Sequence, residues 1–117
     1  MKLAAEAELL RIFIGEHDKH KGRPLYEVIV AEARARGLAG ATVLRGTLGF
    51  GANSRIHSAK VLRLSEDLPM VIEIVDEPDK IAAFLPAIDA LITEGLITLE
   101  KVRVIAYREN GKHAGDD

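Results

Sequence analysis

Two stretches of this chain concentrate side chains able to meet an ion. The first, "IGEHDKHKGRPLYE" at 14–27, holds His17, Asp18 and His20 together with Lys19, Lys21 and Arg23. Two histidines at i, i+3 with a carboxylate between them form a divalent-metal set if the segment is helical, with His57 as a remote third ligand. Gly15, Gly22 and Pro24 oppose that geometry and favour an extended or turning connection, in which the cations suit an anion near a helix start at Pro24. A solvated loop is the plainer alternative. The second stretch, "GFGANSRIHSAKVLRLSEDLP" at 49–69, is far longer than the roughly two to five residues a hairpin needs. Gly49 and Gly51 flank Phe50 and free the backbone for a tight bend; Asn53, Ser54, Arg55, His57, Ser58 and Lys60 can all meet phosphate or carboxylate oxygens. Its "AKVLRL" alternates and suits a hairpin arm, so a mobile hairpin tip competes with a ligand or partner contact here.

The bulk numbers narrow the chemistry. The 117 residues fit one domain, expected over 1–110 with a flexible polar tail at 111–117, and 48% hydrophobic with 29% charged residues is an ordinary globular balance. Without cysteine there are no disulfides, thiolate zinc sites or thiol nucleophiles. The start "MKLAAEAELLRIF" is broken by Glu6, Glu8 and Arg11, unlike a secretory signal, and no run approaches the roughly 20 apolar residues of a membrane span, so a soluble cytoplasmic protein is expected. Net charge is −2, yet no acid lies between Glu32 and Glu66, an interval holding Arg34, Arg36, Arg45, Arg55, Lys60 and Arg63. Such polarisation suits an anionic ligand in the middle of the chain, or simply a solvated basic face.

"ELLRIFI" at 8–14, "ATVLRGTL" at 41–48, "LPMVIEIVD" at 68–76 and "ITLEKVRVIAY" at 97–107 are rich in branched residues and read as strands. Pro24 opens a helix with Leu25, Val28, Ala31, Ala35 and Leu38 near one face, ending at Gly37. Asp76, Glu77 and Asp79 around Pro78 start a second, with Ile81, Phe84, Leu85, Ile88, Leu91 and Ile92 at helical spacing and a bend expected from Pro86 near Ala82 and Ala83. The order βαββαβ, closed by right-handed crossovers, gives an α+β ferredoxin-like sandwich: a four-stranded antiparallel sheet with two helices on one face. The other face would present Leu9, Phe13, Val71, Val75, Ile105 and Tyr107, an apolar patch that predicts a homo-oligomer.

Sequence signatures for hydrolases, zinc peptidases and P-loops are missing, and the paired acids sit where turns and helix starts want them, so the reading is non-enzymatic. An RNA-recognition domain shares the element order. "RIFIGEH" looks like its first-strand signature, but the Gly-Phe-Gly follows the second strand rather than lying in the third, where "MVIEIV" stands. Nucleic acid is therefore not expected as a partner.

The residues carry a family resemblance. "GLAGATVLRGTLGFG" at 37–51, "LPMVIEIVDEPDKIAAFLPAIDALI" at 68–92 and "VRVI" at 102–105 resemble the PII nitrogen-signalling proteins. "GEHDKHKGRPLYE" with "GFG" and "SEDLPMVIEIVDEP" is more similar to an uncharacterised PII-like family, domain of unknown function 190, within the PII/CutA-like superfamily; the likeness spans roughly 8–107. It implies a trimer around the open sheet face and a regulatory, signalling role. It also implies clefts between subunits that take a small anionic ligand, with AMP, ADP and ATP as candidates. Gly49, Phe50 and Gly51 match the loop base at which PII proteins bind nucleotide, and Arg103 and Arg108 fall near their last-strand arginines. "TEGLIT" replaces their glycine-rich loop, Ala106 stands at an arginine position, and the long loop has no tyrosine. The ligand set expected on these grounds is Lys19, Arg45, Gly49, Phe50, Gly51, Arg55, His57, Lys60, Arg103 and Arg108, with a protein such as a membrane transporter as a partner. The competing reading is a CutA-like divalent-metal-binding protein or a metal-dependent enzyme using His17, Asp18, His20 and His57.

Overall fold

The computed structural model describes residues 5–51, 67–109 and 112–113. In chain order the elements are β1 (Glu6–Gly15), β2 (Lys19–His20), β3 (Arg23–Pro24), α1 (Leu25–Ala35), β4 (Thr42–Arg45), β5 (Pro69–Asp76), α2 (Pro78–Leu91), β6 (Leu96–Arg103), β7 (Arg108–Glu109) and β8 (Lys112–His113). Strands β4, β5, β1 and β6 form, in that spatial order, a four-stranded antiparallel sheet. With the two helices on one face this is the expected ferredoxin-like sandwich.

Alternation along the strands decides which residues meet the helices. Leu10, Ile12 and Ile14 of β1 and Met70, Ile72 and Ile74 of β5 point inward and are buried against Leu25, Ile29 and Ala33 of α1 and Ile81, Phe84 and Ile88 of α2. Each fully buried large side chain here contributes roughly 1.5–3 kcal/mol of transfer free energy. The stripe of α1 differs from the expected one. Ala31 and Ala35 are exposed and Val28 is only half-buried, because a helix with apolar residues on two adjoining stripes turns the larger Ile29 inward. Helix α2 remains one segment through Pro86, which lies exposed.

Two strand ends also differ from the sequence reading. β4 ends at Arg45 rather than near Leu48: the Gly46 N–H still donates to the Pro69 carbonyl (2.7 Å) in register, but Pro69 has no N–H to return the bond and the ladder stops. β6 ends at Arg103; the Val104 N–H donates to the Ala5 carbonyl (2.6 Å) as the last bond in register with β1, and Ile105 and Tyr107 lie beyond the strand. Ile105 is almost fully exposed, while the Tyr107 hydroxyl donates to the Ala39 carbonyl (3.3 Å). β7 and β8 pair as a short antiparallel ladder beyond this point.

The loop that precedes β4 is fastened by a buried acid. Asp76 is fully buried; its Oδ2 accepts from the Ala39 N–H (2.8 Å) and its Oδ1 from the Glu77 N–H (2.7 Å) at the start of α2. The opening stretch is a tight hairpin. Lys19 pairs with Pro24 and His20 with Arg23 around Lys21 and Gly22, whose φ values of 51° and 80° are those of a two-residue hairpin turn.

Candidate functional site

At the end of the sheet where β1 finishes and β5 and β6 begin lies a cavity of about 430 Å³. Phe13, Ile14, Pro69 and Leu96 form its apolar wall, Phe50 and Gly51 come from the chain after β4, and Asp18, Asp67 and Glu94 supply carboxylates. The walls are positioned by close backbone packing. Gly95 passes so near β1 that a Cβ there would lie 2.6 Å from the Phe13 carbonyl oxygen, and a Cβ at Gly49 would lie 2.8 Å from Pro69 Cγ. Two of the three acids already have partners: Asp18 Oδ2 accepts from the Gly15 N–H (2.9 Å) and Asp67 Oδ1 from the His17 N–H (3.0 Å). These carboxylates shape the hairpin base, and with the aromatic walls they suit a flat apolar group bearing N–H donors better than a bare phosphate.

The expected cations are distributed unevenly. Arg45, at the end of β4 beside this cavity, is held by Glu16 in a two-pronged pair, Nε to Oε2 at 2.9 Å and Nη2 to Oε1 at 3.1 Å. Lys19 stands exposed on the adjoining hairpin, next to Asp18. Arg103 lies at the far end of β6, about 23 Å from Leu96 by the rise of an extended strand, opposite Glu6 at the start of β1. Arg108 follows Tyr107 at that same far end, where Tyr107 reaches Ala39 and Ala39 reaches Asp76. One subunit thus brings Arg45, Gly49, Phe50, Gly51 and Lys19 to one end and leaves Arg103 and Arg108 at the other. Arg55, His57 and Lys60 lie outside the described residues, as does the "AKVLRL" segment.

Of the four residues of the metal reading, His57 lies outside the described ones. His17 sits in the turn after β1, Asp18 is used by the Gly15 N–H, and His20 is in the hairpin ladder opposite Arg23. Among the described residues no three acid or imidazole side chains converge to hold an ion.

The open face of the sheet shows a pattern that single-strand reading could not supply. Leu44, Val71, Phe13 and Leu96 stand in register as one apolar row across all four strands, with Leu44 49% and Leu96 55% exposed. The neighbouring row reads Thr42, Glu73, Arg11 and Thr98. Arg11 is pinned there, Nε to Glu73 Oε2 at 2.8 Å and Nη1 to Glu100 Oε1 at 2.6 Å. The hydrogen bond with Glu73 leads in raising the guanidinium above its ordinary value, and the charges of Glu73 and Glu100 add to it against some desolvation. Leu9, Phe13, Val71 and Val75 are half-buried on this face, as their alternation predicts, and Leu44 and Leu96 complete it. Phe13 and Leu96 also line the cavity, so the apolar row and the pocket are continuous. No helix among the described residues is long and apolar enough to cross a membrane.

Known proteins resemble this chain in sequence or in fold. A UPF0166 protein of Aquifex aeolicus (strain VF5) is 45% identical over 98 residues, 84% of this chain and 92% of that one. A UPF0166 protein of Methanocaldococcus jannaschii is 34% identical over 100 residues, 85% of this chain and 92% of that one. Among solved structures, a candidate PII-like signaling protein from Thermus thermophilus superposes with a TM-score of 0.61 at 18% identity, over 90% of this chain and 94% of that one. CPII from Thiomonas intermedia, bound to ADP and bicarbonate, gives 0.57 at 19% identity, over 88% and 91%. At such identity these two likenesses speak to the fold, which they share. Residues 7–104 match the family described as "Uncharacterized ACR, COG1993", domain of unknown function 190, and the chain belongs to that family.

Proposed function

We propose that this protein is a non-enzymatic PII-like regulator that binds a small anionic ligand, an adenine nucleotide, in clefts between the subunits of a homotrimer. The observation that carries the reading is the split of the binding groups. An apolar, carboxylate-edged cavity suited to a purine lies at one end of the sheet, and Arg103 and Arg108 lie at the other. A phosphate chain leaving that cavity meets Arg45 and Lys19 of the same chain, and a neighbouring subunit packed on the open face adds the further cations. Phe13 and Leu96, shared by the cavity and the apolar row, make a cleft of this kind natural. Solved CPII is bound to ADP and bicarbonate in one structure and to ADP, AMP and acetate in another, which supports the ligand class.

In this reading Gly49 and Gly51 let the backbone approach the ligand and Phe50, 68% exposed, closes over the base. Arg45, Arg55, Lys60, Arg103 and Arg108 share the phosphate charge, with Lys19 and His57 beside them, and occupancy is reported through the 49–67 segment to a protein partner such as a membrane transporter. Cytoplasmic location follows from such a partner. Calorimetry and thermal shift against AMP, ADP, ATP and cyclic nucleotides test the ligand; binding of one that weakens with Arg103→Ala is expected, and no binding of any sinks the reading. Light scattering tests assembly, and a monomeric mass at micromolar concentration removes the shared cleft.

A further inference from the structure

Glu16 touches both stems of the segment between β4 and β5. Its N–H donates to the Leu68 carbonyl (2.8 Å), immediately before β5, and its carboxylate grips Arg45, the last residue of β4. The Glu16 side chain is 22% exposed and that of Arg45 55% exposed, so the carboxylate is the sheltered member and the guanidinium the one facing out. Two parallel contacts fix the guanidinium plane, which is also the geometry in which arginine takes a phosphate. A half-exposed pair of this kind is weakly held, and a multiply charged anion exchanges with the carboxylate at little cost.

We propose that Glu16 is a built-in competitor for the anion. It occupies Arg45 when no ligand is bound and is displaced when a phosphate-bearing anion takes the guanidinium. The inference rests on the reading of the cavity end as an anion site and adds its regulation. Because the backbone of Glu16 is bonded beside β5 while its carboxylate is bonded to the end of β4, loss of the Arg45 contact uncouples the two stems. The exchange therefore converts anion binding into a change at the base of the intervening segment. Competition also sets a threshold, since the apparent affinity is lowered by the fraction of Arg45 already occupied.

Calorimetric titration of the full chain with ADP and with inorganic pyrophosphate tests this. Glu16→Gln keeps the size and one acceptor of the side chain but removes its charge, and it should tighten ADP by about three- to tenfold. Glu16→Asp, which keeps the charge and shortens the reach, should tighten it less. In Arg45→Ala the same Glu16→Gln change should leave the affinity unaltered, because the competitor has lost its target. Tightening for both probes assigns the exchange to phosphate, and tightening for ADP alone overturns it in favour of an effect on the base. Equal or weaker ADP binding by Glu16→Gln, in a variant whose melting temperature matches the parent, also overturns it while the anion site stands. Absence of binding by the parent chain removes the underlying reading and this inference with it.

Discussion

The two faces of the sheet are built from the same strands and differ in what satisfies them. On the covered face, Leu10, Ile12, Ile72 and Ile74 are removed from water by two helices, and the polar requirement is met at the margin by Asp76. On the open face, a complete apolar row lies beside a row whose charges are paired inside the subunit, Arg11 with Glu73 and Glu100. The first face is finished by its own chain. The second is left open by its own chain: Arg11 is already matched there, while Leu44 and Leu96 remain exposed.

Adjacent residues of β5 put that contrast to the test. Ile72→Ala should cost roughly 2–5 kcal/mol of unfolding free energy, since it empties a fully buried site between sheet and helices. Denaturant unfolding measures this, and a loss below about 1 kcal/mol would mean that the covered face is not the core. Gly95→Ala comes next, at about 1–3 kcal/mol, because the new methyl group meets the Phe13 carbonyl backbone and β6 has to shift. Val71→Ala, one residue from Ile72 on the other face, should cost less than about 1 kcal/mol in the isolated subunit. A larger cost that grows with protein concentration would show that a second copy covers the row.

The covered face was legible in the sequence because strand alternation and the helical spacing of Ile81, Phe84 and Ile88 each name a face locally. Alanines misled the reading of α1, for Ala31 and Ala35 carry too little apolar area to decide which way a helix turns. The strand ends at Arg45 and Arg103 were out of reach as well, since where a ladder stops depends on partners, Pro69 and Ala5, far away in sequence. At the site, Gly49, Phe50 and Gly51 could be found as a glycine-flanked aromatic at a strand end. Asp18, Asp67 and Glu94 were missed as cavity walls, and Glu16 as the partner of Arg45, because these pairings follow from register between strands. The apolar row and the Arg11 pairing are of the same kind: four unremarkable residues become a surface only when β4, β5, β1 and β6 are set side by side.

The smallest expected effect falls on Arg11. Its folded-state pKa is raised, so the stability it lends is fully present below the ordinary arginine value and is lost only as pH climbs through the raised one. Arg11→Met should therefore change the pH dependence of unfolding little through loss of the arginine titration between about pH 5 and 9, the range in which an arginine stays protonated. What it does change is the balance of charge on the open face. Glu73 and Glu100 then lack their cation, and two carboxylates stand unmatched beside the apolar row. If a second copy covers that row, Arg11→Met lowers the assembled mass seen by light scattering, and removing the two charges as well, by Glu73→Gln and Glu100→Gln, restores it. An unchanged mass in this variant, with the parent assembled, would place the subunit contact away from the centre of the open face.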